Sequence, residues 1–264
     1  MLDDGGKENR LIMTICAIMQ PTYLPWMGYF DLIDQADIFI LLDDVQITRR
    51  SWQVRNRIVG ANGNEVMLSI PIQKSAHRDH HLLSETKVDD SQPWRRKHLG
   101  NLEAAYAKAP YGEQAISIWR LLLKSDETNL ANLHETAIRA VSAALGLDTQ
   151  IIKSSQLDTP GSKDQRLCAL CQKAGADHYL SALSSSVYIE AETPMGAFAN
   201  SGVELSYQNY HHPVYRQTCE TFIPYMGIID ALANLGAEDT LQTLRQGRQP
   251  GFTPKQAREK LHSA

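Results

Sequence analysis

The chain has 264 residues, of which 43% are hydrophobic, 7% aromatic and 21% charged, and this profile excludes disordered, collagenous and coiled-coil chains. Its net charge of −4 creates no global basic field, so nucleic-acid or acidic-membrane binding finds no support in the composition. No apolar run approaches the ~18 residues of a membrane span, so no membrane insertion is expected.

The opening MLDDGGKENRLIM lacks a basic region followed by an apolar core and does not read as a signal peptide. Cys16, Cys168, Cys171 and Cys219 are then expected to be reduced thiols in the cytoplasm. Residues 14–19 (TICAIM) are short, apolar and followed by Gln-Pro, the pattern of a buried parallel strand. Residues 26–35 carry Trp26, Phe30 and Ile33 at helical spacing, and residues 37–42 (DIFILL) form a second apolar run. This β-loop-α-β order predicts the right-handed crossover of an α/β sheet.

Asn62-Gly63 between two β-rich runs predicts a hairpin. Residues 92–147 read as helical, with Trp94, His98, Leu102 and Tyr106 on one face and Gly146 as a stop. Strands are expected again at residues 150–152, 178–181 and 203–207, with helices at 163–174 and 227–235. The expected fold is a Rossmann-like, mostly parallel α/β domain over residues 13–248, with a helical insertion at about 91–147. Residues 1–12 and 249–264 are expected to be peripheral tails.

In an open parallel sheet, ligands collect beyond the carboxyl ends of the strands. That rule brings together the loop holding Gln20, Tyr23, Trp26 and Gly28 and the one holding Asp43 and Asp44. Gly28 could admit a ligand close to backbone N–H groups, or the loop could be a rigid turn with buried aromatics. One aspartate could serve as a base, a hydroxyl anchor or a metal ligand; the pair could equally charge a loop. The run Arg49-Arg50-Ser51-Trp52-Gln53-Val54-Arg55-Asn56-Arg57 joins guanidinium groups suited to phosphate with an indole suited to stacking. In extended chain, Arg55 and Arg57 share one face, and Trp52 and Asn56 the other. Lys163, with Arg166, opens a helix after Pro160-Gly161 and is a candidate anion contact or a plain surface charge. His98 lies on an apolar stripe, where a satisfied histidine is the ordinary reading and a reserve base the sharper one. Asp79-His80-His81 and His211-His212 are poorly spaced for joint chelation, and Cys168-x-x-Cys171 reads as core packing. No GxGxxG, GxxxxGK[ST] or GxSxG occurs.

The run MQPTYLPWMGYFDLIDQADIFILLDDVQITRRSWQVRNRI closely resembles the start of the WbqC-like family. WRRKHLGNLEAAYAKAPY, KDQRLCALCQKAGADHYLSA, ELSYQNYHHPVY and GIIDALANLGAE extend the resemblance over residues 14–238, with Ala182 standing where the pattern usually has Gly. It implies a bacterial cytoplasmic protein in surface-polysaccharide (O-antigen) synthesis, labelled a transferase. The strand, Pro/Gly loop and helix are also similar to the start of nucleotidylyltransferases, but LPWMGYF lacks the histidines of their HxGH motif. The first expectation is a transferase for a nucleotide-activated sugar or other phosphate-bearing small molecule. Its arginines would hold phosphate, Trp52 would stack, and Asp43 or Asp44 would act as base. The alternatives are a nucleotidyltransferase-like enzyme using a triphosphate and Mg²⁺, and a non-catalytic binding or assembly protein.

Overall fold

The structure, a computed structural model, describes residues 13–48, 51–73 and 81–263. In chain order its elements are β1 (Ile15–Met19), α1 (Met27–Gln35), β2 (Ile38–Leu41), β3 (Arg55–Val59), β4 (Glu65–Ser69), α2 (Trp94–Tyr106), α3 (Gly112–Leu123), α4 (Leu130–Ala144), β5 (Gln150–Lys153), α5 (Lys163–Lys173), β6 (His178–Ser181), α6 (Ser186–Ile189), β7 (Glu204–Tyr210), α7 (Ile229–Gln246), β8 (Arg248–Phe252) and α8 (Pro254–Ser263). Among the described residues six strands form one sheet, in the order β5-β2-β1-β6-β7-β8. The first five run parallel, and β8 is antiparallel to β7. This is a Rossmann-like α/β sheet, and the strand order reverses at β1, which has β2 on one side and β6 on the other.

The apolar runs become strands because both faces are covered. Successive residues of β1 point to opposite sides. Ala17 joins a core with α1, the helices α2–α4 and α7. Cys16 and Ile18 join a second core with α5, β7 and α8. Cys168 and Cys171 are buried in that second core as free thiols. Trp94, His98, Leu102 and Tyr106 are all buried along α2. The β3–β4 hairpin turns at Gly63, whose φ of 76° is the left-handed conformation that glycine permits. With α2–α4, it fills the chain between β2 and β5.

Two segments differ from expectation. The chain after residue 248, expected at the periphery, forms the edge strand β8 and helix α8, with Ala257 fully buried in the second core. Here local Pro and Gly residues are overridden by pairing with β7. The short helix expected at 227–235 extends to Gln246 through a break at Gly236 (φ 80°, ψ 175°), because Leu244 on the far side of the break is also buried.

Candidate functional site

A hollow of about 290 Å³ opens near the carboxyl end of β1 and the first turn of α1. Met19, Thr22, Trp26 and Tyr29 come from β1, the loop after it and α1; Trp52, Asn56 and Arg57 come from the hairpin and its approach. Tyr225 completes the lining. Trp52 and Tyr225 are half exposed, while Tyr29 is buried.

Several bonds hold the loop against the hairpin. Tyr23 N–H donates to the Trp52 carbonyl at 2.9 Å. The Asn56 amide donates to the carbonyls of Tyr23 and Leu24 at 2.9 and 2.7 Å. Gln53 donates to Gln20 at 2.8 Å and accepts from Thr48 and Ser51. Behind the loop, the Tyr23 hydroxyl lies 2.8 Å from His98 Nδ1, and His134 Nε2 donates to the Gln53 carbonyl at 2.6 Å. Burial pushes both imidazoles down to about pKa 4, against weaker opposition from the Ser69 and Gln53 backbones. The rings are therefore neutral at pH 7, and the Tyr23 hydroxyl, whose pKa burial raises, keeps its proton and donates to Nδ1.

What approaches Gly28 is the indole of Trp26: a Cβ there would sit 2.5 Å from Trp26 Cζ2. That indole stacks on His212 (12°, 6.0 Å) and meets Tyr210 and Tyr225 edge-on, both at 5.5 Å. The strap carrying Tyr225 is tied down by Gly227, whose N–H donates to the Arg57 carbonyl, and by Ile228, whose N–H donates to the Pro25 carbonyl. A Cβ at Gly227 would press on the Leu24 carbonyl at 3.0 Å, so this approach needs glycine. Tyr225 itself takes a left-handed φ of 61°, a costly conformation for an aromatic residue.

Arg57 donates through Nη1 to Glu65 at 2.8 Å and through Nη2 to the Tyr225 carbonyl at 3.4 Å. Its guanidinium lies 5.6 Å from the Trp52 ring centre. Buried polar atoms without partners cluster around Trp26: the Tyr29 and Tyr210 hydroxyls, His212 Nε2 and Arg57 Nε.

Other sequence candidates lie elsewhere. Asp43 is buried and accepts from the Ser155 backbone and hydroxyl, at 3.0 and 2.8 Å, while its own N–H donates to Ser154 Oγ at 3.2 Å. Asp44 accepts from the Ser154 hydroxyl and from Arg166 Nη2. The two carboxylates thus join β2 to the chain after β5 and to α5, whose apolar side faces the second core, and neither lines the hollow. Of the two carboxylates that would hold a magnesium ion, Asp43 is 2% exposed and Asp44 already pairs with Arg166. No cluster of three metal-ligating side chains occurs among the described residues. His98 is 5% exposed and packed between Tyr23 and Trp94, away from solvent. Arg55 is half-buried on β3 without lining the hollow, and Lys163 is exposed at the start of α5. Arg49, Arg50, Asp79 and His80 lie outside the described residues.

Of the residues singled out from sequence, the fold brings Trp26, Trp52, Asn56 and Arg57 together at one cavity. Thr22 stands in the loop already singled out, and Tyr29 in the first turn of α1 that follows it. Tyr225 carried no local signal, since only the strap's tertiary bonds deliver it. The WbqC-like protein family matches residues 20–242. The chain is also 35% identical over 234 residues to the uncharacterised protein Rv1507c of Mycobacterium tuberculosis, covering 87% of this chain and 98% of that one. No solved structure matches the chain.

Proposed function

The chain belongs to the WbqC-like protein family, and from that premise we propose that it is a transferase acting on a nucleotide-activated sugar or another phosphate-bearing small molecule. The observation that carries this reading is the hollow itself: aromatic walls, with Arg57 as its one charged lining residue among the described residues. Trp52 and Tyr225 offer two exposed rings for a planar base or a sugar face, and Arg57 offers the cation for phosphate. The family resemblance supports a place in surface-polysaccharide synthesis.

A second reading, ligand binding without turnover, is favoured by one specific observation. The groups expected to act as base, Asp43, Asp44 and His98, are all engaged away from the hollow.

The test is a melting-temperature and calorimetric screen against nucleotides and nucleotide-sugars. A ligand at one hundred times its Kd stabilises the native state by about 2.7 kcal/mol. Binding that disappears in Trp52→Ala and Arg57→Gln is the expected result. Product analysis of each binding donor then separates a transferase from a binding protein. A full panel that produces no shift would refute both readings.

A further inference from the structure

The hollow is lined by two side chains that each keep a buried donor without a partner. Tyr29 is 2% exposed, and its hydroxyl makes no hydrogen bond. Arg57 has a buried, unmatched Nε–H. An orphaned buried donor is destabilising, so two beside one cavity point to a ligand that completes them.

The rest of Arg57 is committed. Glu65 holds Nη1, the Tyr225 carbonyl holds Nη2, and Trp52 lies against the guanidinium. These contacts fix its plane and leave Nε as the buried donor without a partner. Burial raises the Tyr29 pKa well above the ordinary phenol value, so its hydroxyl keeps its proton and can donate. The nearby first turn of α1 has no acidic residue and no side-chain cap, so the positive end of its dipole stands uncompensated. The guanidinium and the helix dipole favour an anionic oxygen over a sugar hydroxyl, and the Tyr29 hydroxyl can donate to it.

We propose that the inner end of the hollow is a phosphate subsite, in which Arg57 Nε and the Tyr29 hydroxyl donate to oxygens of a terminal phosphoryl group while Trp52 and Tyr225 close on the ring of the same ligand. This rests on the hollow being the substrate site and, within that reading, selects a ligand that ends in a phosphate monoester over a nucleotide-activated sugar. The floor is sealed: the Trp26 indole fills the space over Gly28, and Tyr29 packs into the core. A cavity of about 290 Å³ lies at the lower bound of small-molecule pockets. A phosphate monoester ends where the floor ends, whereas a diphosphate bridge would have to turn back towards the rim to carry its sugar. Trp52 and Tyr225 are about half exposed, so each keeps a face open to an entering ligand.

The experiment compares three probes by calorimetry: nucleosides, their 5′-monophosphates, and the nucleotide-sugars of the same bases. The monophosphate of the preferred base binds at least about tenfold more tightly than either other probe, as hydrogen bonds to a charged group require. Tyr29→Phe reduces monophosphate affinity by about tenfold and leaves nucleoside affinity unchanged, and Arg57→Lys reduces monophosphate affinity by at least as much. Tyr29→Phe also leaves the ligand-free melting temperature equal or higher, because it removes an unmatched hydroxyl, which separates lost binding from misfolding. If the nucleotide-sugar binds as tightly as the monophosphate, or if both variants weaken nucleoside and monophosphate equally, the subsite is refuted while the hollow stands as the substrate site. If no probe binds, or if Trp52→Ala leaves all affinities intact, the hollow itself is refuted as the substrate site.

Discussion

Acidification from pH 7.5 to pH 5 should remove about 4 kcal/mol of stability through the two histidines behind the loop. His98 and His134 are 5% and 1% exposed, and burial depresses each from 6.5 to about 4. Between those values the unfolded chain binds a proton at each site that the native chain does not, so stability falls as pH falls. The contribution is complete above pH 6.5 and exhausted below about 4. At pH 5 each histidine accounts for about 2 kcal/mol. Asp31 and Asp230 act in the opposite sense, because burial raises their native pKa and acidification favours their folded form. The loss is therefore cleanest above pH 5. Urea denaturation at half-unit steps measures it; burial also lowers the pKa of His178 and His212, which add to the slope in the same sense, so His134→Gln should remove less than half of it. A midpoint that stays flat from pH 7.5 to 5, or imidazole resonances titrating near 6.5, would refute the neutral, buried pair. It would also return His98 to the candidates for acid–base work.

Gly28→Ala forces its Cβ to about 2.5 Å from Trp26 Cζ2, so it should cost about 1–3 kcal/mol and shift the tryptophan fluorescence; an unchanged spectrum and stability would contradict the packing. Asp44→Asn leaves the partly buried Arg166 without its counter-ion and should cost about 1–2 kcal/mol, with ligand affinity at the hollow unaltered in calorimetry. Lost turnover with intact stability would instead make Asp44 a catalytic residue. Arg248→Ala strips the fully buried Asp31 of its cation, together with one of the two arginines on Asp34. It should cost about 3 kcal/mol in chemical denaturation, and a loss under 1 kcal/mol would show that Gln35 and Gln208 satisfy Asp31 unaided.

Much of the architecture is written in local pattern. TICAIM and DIFILL are too apolar for anything but two-sided burial, and they became β1 and β2. Asn62-Gly63 placed the hairpin turn, and the period of Trp94, His98, Leu102 and Tyr106 placed the buried face of α2. The carboxyl-end rule located the loop that lines the hollow. These features depend on neighbours in sequence, through backbone sterics and side-chain periodicity, so spacing alone determines them.

The make-up of the site depended on contacts between distant segments. Tyr225 reaches the hollow only because Gly227 and Ile228 bond to Arg57 and Pro25. Asp43 and Asp44 lost their place there because Ser154, Ser155 and Arg166, which come together only through sheet pairing, supply donors that a buried carboxylate must have. A residue type announces what chemistry it can do; the partners that consume or spare that chemistry come from across the fold, and packing and hydrogen bonding choose among them.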